Sequence, residues 1–211
     1  MTFSEEWHDV YASGREQVNW PWSDVVSLAT RFGGDLKDKR VLELGCGTGA
    51  NLEFFRKSKA IYHGMDGNPK ALENIRCRRL SVGDFTVALP YINMDMIFDR
   101  AAVAHNDTSG IKDCLGLVSD ALKSGGIYIG VDWFSHQHDE YAKGEPDIDE
   151  FTKTDYTDGQ FTGVGRVHFS DEGHLRDLFS YFTILHLEEK VKTNALTGAK
   201  AATWNIVVRK P

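Results

Sequence analysis

The sequence predicts an α/β fold, a doubly wound and mostly parallel sheet with helices on both faces and an antiparallel hairpin at the C-terminus. Three observations predict it. Short apolar runs alternate with amphipathic stretches between residues 41 and 131, the order that gives parallel strands with crossover helices. Those runs end in glycine or in an acid, as strand ends at a binding crevice do. Near the C-terminus, Phe182 to Val191 and Ala202 to Arg209 follow each other with only a polar turn around Asn194 to Gly198 between them, which suits a hairpin.

Each element has a local reason. Val25, Leu28, Ala29 and Phe32 share one helical face behind Ser23, a capping residue, and Gly33-Gly34 stops the helix. Val41 to Leu44 is a buried strand running into glycines. Leu52 and Phe55 suit one face of the helix that follows, and Ile61 to Met65 is a second strand. Asn68-Pro69 opens a helix with a cap and a first-turn proline. Leu80 to Val82 and Met94 to Phe98 are the third and fourth strands. Ile111, Leu115, Val118 and Leu122 form an apolar stripe. Gly125-Gly126 ends that helix, and Ile127 to Val131 is the fifth strand. A last helix lies near Asp171 to Phe179.

The chain of 211 residues is long enough for one well-buried domain and short for two. It divides into an N-terminal cap (1–38), a core (39–132), an acidic substrate-side insertion (133–168) and a C-terminal helix with hairpin (169–211). The net charge is −7. The stretch from Asp132 to Asp158 holds nine acids and two lysines, so the rest of the chain is neutral. This balance disfavours a nucleic-acid partner, and the basic cluster Arg76, Arg78 and Arg79 is too small for one. No apolar run reaches a membrane-spanning length, and the first residues do not read as a signal peptide. Three widely spaced cysteines (Cys46, Cys77 and Cys114) form no disulfide framework. The setting expected is soluble, reducing and cytoplasmic. No stripe marks an oligomer interface.

Val41-Leu-Glu-Leu-Gly45-Cys-Gly47-Thr-Gly49-Ala-Asn51 lies between a predicted strand and a predicted helix. Glycines there let the chain turn sharply and let backbone approach a ligand. Asp66 ends the second strand, where a carboxylate accepts hydrogen bonds from a ribose diol. Asp84-Phe85 follows the third strand, an acceptor for an amino group beside a ring that stacks. Asp99-Arg100 ends the fourth.

This series resembles the motifs of the class I (Rossmann-like) S-adenosylmethionine-dependent methyltransferase family. Val41 to Gly49 is close to motif I, Tyr62 to Ala71 looks like the second, Val82 to Phe85 the third, and Met96 to Arg100 the fourth. Ala121 to Tyr128 looks like the stretch before strand five. The resemblance implies a seven-stranded sheet whose last strand is antiparallel, with S-adenosylmethionine as cofactor. It implies Glu43, Gly45, Cys46, Gly47 and Gly49 around the methionine end, Asp66 with Gly67 at the ribose, Asp84 and Phe85 at the adenine, and Asp99 and Arg100 beside the methionine portion. Gly45, Gly47 and Ala50 also satisfy the dinucleotide fingerprint, so an NAD(P)-dependent oxidoreductase is the rival. A non-catalytic S-adenosylmethionine-binding partner subunit is another.

Methyl transfer to a hydroxyl is an in-line displacement that needs positioning and a base. The candidate bases are His105, six residues past Asp99, and His136, beyond strand five. His138 joins them on the substrate side. Tyr11 and Trp20 are expected to form a lid, with Trp22 packing the first helix. The acidic insertion reads as a mobile cap selecting a neutral or cationic acceptor, or as a solvated loop. His136, His138 and Asp132, or Asp99 with Asp132, complete no metal-ligand set. Trp20-Pro-Trp with Asp132-Trp-Phe-Ser is similar to methyltransferases of surface-sugar pathways, so the expected acceptor is a small molecule, the hydroxyl of a sugar or sugar nucleotide.

Overall fold

The computed structural model describes residues 6–14 and 18–211. Its strands are β1 (Arg40–Leu44), β2 (Ile61–Asp66), β3 (Leu80–Val82), β4 (Met94–Arg100), β5 (Leu122–Ser135), β6 (Glu145–Pro146), β7 (Thr152–Thr154), β8 (Val167–Ser170), β9 (Thr183–Thr193) and β10 (Lys200–Arg209). The α-helices are α1 (Trp7–Ala12), α2 (Ser23–Gly33), α3 (Leu52–Lys57), α4 (Pro69–Leu72), α5 (Thr108–Ala121) and α6 (Glu172–Leu178).

The central sheet runs β3-β2-β1-β4-β5 in parallel, and continues through antiparallel β10 to β9. These are the seven strands expected. Period-2 alternation sends successive side chains to opposite faces. Met96, Phe98, Ile127, Ile129 and Val131 pack with Val25, Leu28 and Phe55 on one face. Leu42, Leu44, Ile97 and Tyr128 pack with Ile111, Leu115, Val118 and Leu175 on the other. Among the described residues, no helix is long and apolar enough to cross a membrane.

Several boundaries differ from expectation. Ser23 is the first residue of α2, not its cap; Trp22 holds the cap position without a side-chain bond. α5 ends at Ala121, and Leu122 pairs with Met94 as a strand residue. The glycines at 125 and 126 therefore lie inside a strand that hydrogen bonds to the end of the chain through Lys210.

The insertion is a packed substructure, not a solvated loop. β6, β7 and β8 form a small antiparallel sheet. β8 joins the end of β5, with Phe134 opposite Phe169. Phe134 also pairs with Thr203 of β10, so β8 stands on the side of β5 that β4 occupies lower down. The insertion thus roofs the carboxyl end of β4. Tyr156, Phe161 and Val164 bury their side chains beneath it.

The turn after β4 is held by Asp99, which is wholly buried. Its carboxylate accepts from the Tyr128 hydroxyl (2.5 Å), Trp133 Nε1 (3.0 Å) and the backbone N–H groups of Ala102 (2.9 Å) and Val103 (3.1 Å). Burial pushes its pKa up, and these donors oppose the rise. Asp99→Asn would turn an N–H₂ toward one of those donors. We expect a loss of about 3 kcal/mol in urea unfolding, and a loss below about 1 kcal/mol would count against the clamp.

Candidate functional site

The strand order reverses between β1 and β4, and a crevice opens there at the carboxyl ends of the strands. It is a cleft of about 370 Å³, within the usual size for small-molecule sites. β1 and its loop contribute Glu43, Gly45, Cys46, Gly47, Thr48, Ala50 and Asn51. β2 and β3 contribute Asp66, Gly67, Gly83, Asp84 and Phe85. Arg100, Ala101, Ala102, His105 and Asn106 come from the end of β4. The N-terminal segment adds Trp7, Tyr11, Val18 and Trp22, and the insertion side adds Phe134, Gln160, Phe161 and Val164.

The glycine loop needs its glycines for two reasons. Gly45 has φ +64°, and a Cβ there would lie 2.2 Å from the Cβ of Ala102. Gly47 has φ +51°, and a Cβ would lie 2.9 Å from the Tyr11 hydroxyl. Both positions favour glycine on backbone grounds alone, and both carry neighbours where a side chain would go.

Asp66 shapes the loop directly. One carboxylate oxygen accepts from Gly47 N (2.8 Å) and the other from Asn68 N (2.9 Å). Burial pushes its pKa up despite these bonds. Asp84 accepts from the Thr86 N–H (2.8 Å) and hydroxyl (2.6 Å), which fixes the turn that presents Phe85.

Glu43 is buried under Tyr62 and Asn51. It accepts a short hydrogen bond from the Tyr62 hydroxyl and one from Asn51 Nδ2 (2.7 Å). Asn51 Oδ1 accepts from Trp22 N (3.0 Å). Two further bonds tie the N-terminal segment to this region, Thr48 Oγ1 to Val18 O (3.2 Å) and Asn68 Nδ2 to Trp7 O (3.1 Å). Trp22 then lies under Arg100, whose guanidinium carbon is 3.7 Å from the ring centroid. Arg100 Nε donates to Asp132 (3.1 Å), which Lys190 also contacts (2.8 Å).

His105 Nδ1 is 2.8 Å from the carbonyl oxygen of Arg166. A carbonyl only accepts, so Nδ1 carries the proton and Nε2 is the bare nitrogen. No hydrogen bond to Nε2 is seen among the described residues, and the residue lines the cleft. The ring packs edge-on to Trp7 (5.0 Å) and Phe134 (5.7 Å). Burial pushes its pKa down to about 4, so the imidazole is neutral at pH 7.

Five of the expected residues fall elsewhere. Asp99 is not on the cleft; its bonds to the β4 turn seal it below. Gly49, at φ +83°, packs against Ile75 and not on the cleft wall. His136 sits behind the cleft, its ring stacked on Phe151 (5.5 Å) and Tyr141 (4.6 Å), with Nε2 buried and unpartnered. His138 faces a separate recess. Its Nδ1 accepts from Glu140 N and its Nε2 contacts the Gln160 amide at 2.8 Å. Trp20 is 81% exposed and off the cleft. Trp22, expected to serve packing, does pack against the core on the α2 side and lines the cleft as well.

Trp7 belongs to the same N-terminal aromatic group as Tyr11, Trp20 and Trp22, but sequence reasoning gave it no role, and it passed over Asn51, Asn106, Gln160, Phe161 and Val164. Asn51 adjoins the glycine loop, and its polar side chain at a helix start was a usable signal. The insertion residues carry no periodic pattern that marks them.

Residues 41–126 match the model of the methyltransferase domain family. No curated protein matches the sequence. Among solved structures, the chain is similar to an S-adenosylmethionine-dependent methyltransferase from Methanosarcina mazei (19% identity, 82% of this chain and 93% of that one, TM-score 0.64). It is also similar to the 1,6-didemethyltoxoflavin-N1-methyltransferase of Burkholderia thailandensis (14%, 97% and 85%, TM-score 0.71). A third is CalS10, an amino pentose methyltransferase of Micromonospora echinaspora (17%, 100% and 99%, TM-score 0.58).

Glu43 makes this site's stability pH-dependent. Burial raises its pKa from 4.5 to about 8. The folded chain therefore holds a proton that the unfolded chain releases above pH 4.5. The resulting stabilisation is complete below pH 4.5 and disappears as pH rises through 8, by on the order of 4 kcal/mol. Glu43→Gln removes the titration. Relative to Glu43→Gln, the natural chain should lose stability between pH 5 and pH 9 in denaturant melts. Parallel curves for the two would refute the assignment.

Proposed function

We propose that this chain, which carries a class I methyltransferase domain with S-adenosylmethionine as its cofactor, methylates a hydroxyl of a small ring-shaped acceptor, a sugar or sugar nucleotide, with His105 as the proton acceptor. The observation that carries the reading is the fixed tautomer of His105, a neutral imidazole whose Nδ1 is held by the Arg166 carbonyl in a residue that lines the cleft.

The residues fit the cofactor. Gly47 offers bare backbone where a Cβ would meet Tyr11. Asp66 and Asp84 are the acceptors that a ribose diol and an adenine amino group require, and Phe85 offers a ring beside them. Glu43, Gly45, Cys46 and Arg100 are then left for the methionine portion. When bound, S-adenosylmethionine supplies an electrophilic methyl carbon on a sulfonium that leaves as a neutral thioether.

The acceptor half of the cleft is built from Trp7, His105, Asn106, Phe134, Gln160 and Phe161. The rings offer flat apolar faces, and the two amides offer donors and acceptors for hydroxyls. His105 takes the hydroxyl proton at Nε2 as the oxygen–methyl bond forms. Its low pKa keeps that nitrogen available at neutral pH, so the enclosed cleft does most of the work by positioning and by excluding water. The amino pentose methyltransferase of the same fold supports a sugar acceptor. The toxoflavin enzyme makes a flat heteroaromatic ring the competing reading.

A panel of sugars, sugar nucleotides and heteroaromatic alcohols and amines, assayed with labelled S-adenosylmethionine, decides between them. Turnover confined to the heteroaromatics would overturn the sugar assignment. His105→Asn should lower kcat by about 10²- to 10⁴-fold with S-adenosylhomocysteine affinity unchanged, and full activity would remove His105 as the base. Calorimetric titration with S-adenosylhomocysteine checks the lid. Trp22→Ala should weaken binding about tenfold, equivalent to about 1.4 kcal/mol, and Trp20→Ala should leave it unchanged. Equal effects would contradict the placement of Trp22.

A further inference from the structure

Three separate parts of the chain meet at His105. Trp7 comes from the N-terminal segment, Phe134 from the end of β5, and the Arg166 carbonyl from the insertion. Only the last makes a hydrogen bond to the ring among the described residues, and that bond sets the tautomer.

The segment carrying the carbonyl runs directly into β8, where Val167 pairs with Lys153. Gly163 (φ +72°) and Gly165 (φ +73°) flank the buried Val164 in irregular backbone just before β8. The side chain of Arg166 adds a second anchorage. Its Nη1 donates to Asp107 (3.1 Å) and its Nε to Asp147 (2.5 Å). Both partners are placed by their own elements. The Asp107 carboxylate caps α5 through Gly110 N (2.8 Å), and the Asp147 backbone is held by its N–H donating to the Thr152 carbonyl (3.1 Å). One anchor thus belongs to the core and the other to the insertion.

We propose that Arg166 is a positioning residue for His105: its guanidinium, clamped between Asp107 and Asp147, holds its own backbone carbonyl on His105 Nδ1 and thereby fixes Nε2 as the proton-accepting nitrogen. The inference rests on the reading of His105 as proton acceptor. It adds that the insertion acts on the chemistry as well as on acceptor shape. Seating the insertion and arming the base become one event, because the same residue does both. The proton balance is simple. Nδ1 keeps its proton throughout, and Nε2 gains the one that the hydroxyl loses.

The test uses the full chain, saturated with S-adenosylhomocysteine and labelled with ¹⁵N at histidine. The ring nitrogen shifts of His105, identified by their loss in His105→Asn, report its tautomer without any acceptor present. The natural chain should show the Nδ1–H form. Arg166→Ala should convert a large fraction to the Nε2–H form, and Arg166→Lys should restore part of the original. Asp147→Asn leaves the core anchor intact and carries the test if Arg166→Ala does not fold. Kinetics with an acceptor from the panel should show kcat falling about 10- to 100-fold with little change in KM. Retention of the Nδ1–H form in Arg166→Ala and Asp147→Asn would overturn the proposal. So would a raised KM with unchanged kcat, the mark of a staple that only shapes the pocket. An unchanged kcat in His105→Asn would instead remove the base, whatever tautomer the Arg166 variants show.

Discussion

The cleft depends on buried carboxylates that take up the backbone N–H groups left over where parallel strands turn. A strand that ends and reverses exposes donors with no partner in the sheet, and burying such a donor unpaired costs about 1–3 kcal/mol. Asp66 accepts two of them, from Gly47 and Asn68. Asp99 accepts two more, from Ala102 and Val103. The two turns touch, because the empty side of Gly45 is filled by Ala102. The loop after β1 is therefore cast against the loop after β4. Burial raises both carboxyl pKa values, the cost of placing acids where the donors are.

Glu43 extends the same logic to the N-terminal segment. Its carboxyl holds Asn51, and Asn51 holds the backbone of Trp22. Thr48 and Asn68 each hold a further carbonyl of the N-terminal segment. All three contacts come from residues of the glycine loop or the turn after β2. The placement of the N-terminal segment and of the loop are thus linked, since a displaced segment would leave these polar side chains without their partners. On the opposite wall, Arg166 joins the insertion to α5 through Asp107. The two walls of the cleft meet the core through different residues but share His105, which touches both.

Most of the core was legible in the sequence because its signals are local. Strand ends in glycine or acid, an Asn-Pro helix start, and apolar periodicity each describe a few neighbouring residues, and the alternation of strands and helices gives the parallel sheet. Roles set by distant partners were not legible. Asp99 reads like Asp66 in sequence, a carboxylate at a strand end. Tyr128 and Trp133 from β5 turn it into a sealed clamp. Trp20 and Trp22 differ by two residues, yet Trp22 donates its N–H to Asn51 and lies under Arg100 while Trp20 is exposed. His105 and His136 were both candidate bases, and what separates them is the stack of Phe151 on the one at 136 and the Arg166 carbonyl on the one at 105.

The acidity of the insertion has a structural explanation that changes what it implies about the acceptor. Asp147 binds Arg166, and Asp149 accepts from the Thr108, Phe151 and Thr152 groups. Asp132 is held by Arg100 and Lys190, and Glu140 and Asp158 by Lys143. Glu145, Glu150 and Asp155 are exposed. None of these acids lines the cleft. The insertion residues that do are Phe134, Gln160, Phe161 and Val164, which are uncharged. A negative segment spent on internal contacts exerts little pull on a ligand inside, because each paired carboxylate is largely neutralised at short range. The acceptor wall is therefore neutral where it touches the ligand, with Arg100 as a nearby cation. The charge of the insertion is therefore a matter of its own internal pairing, and the raw charge count of the segment does not by itself describe the wall of the cleft.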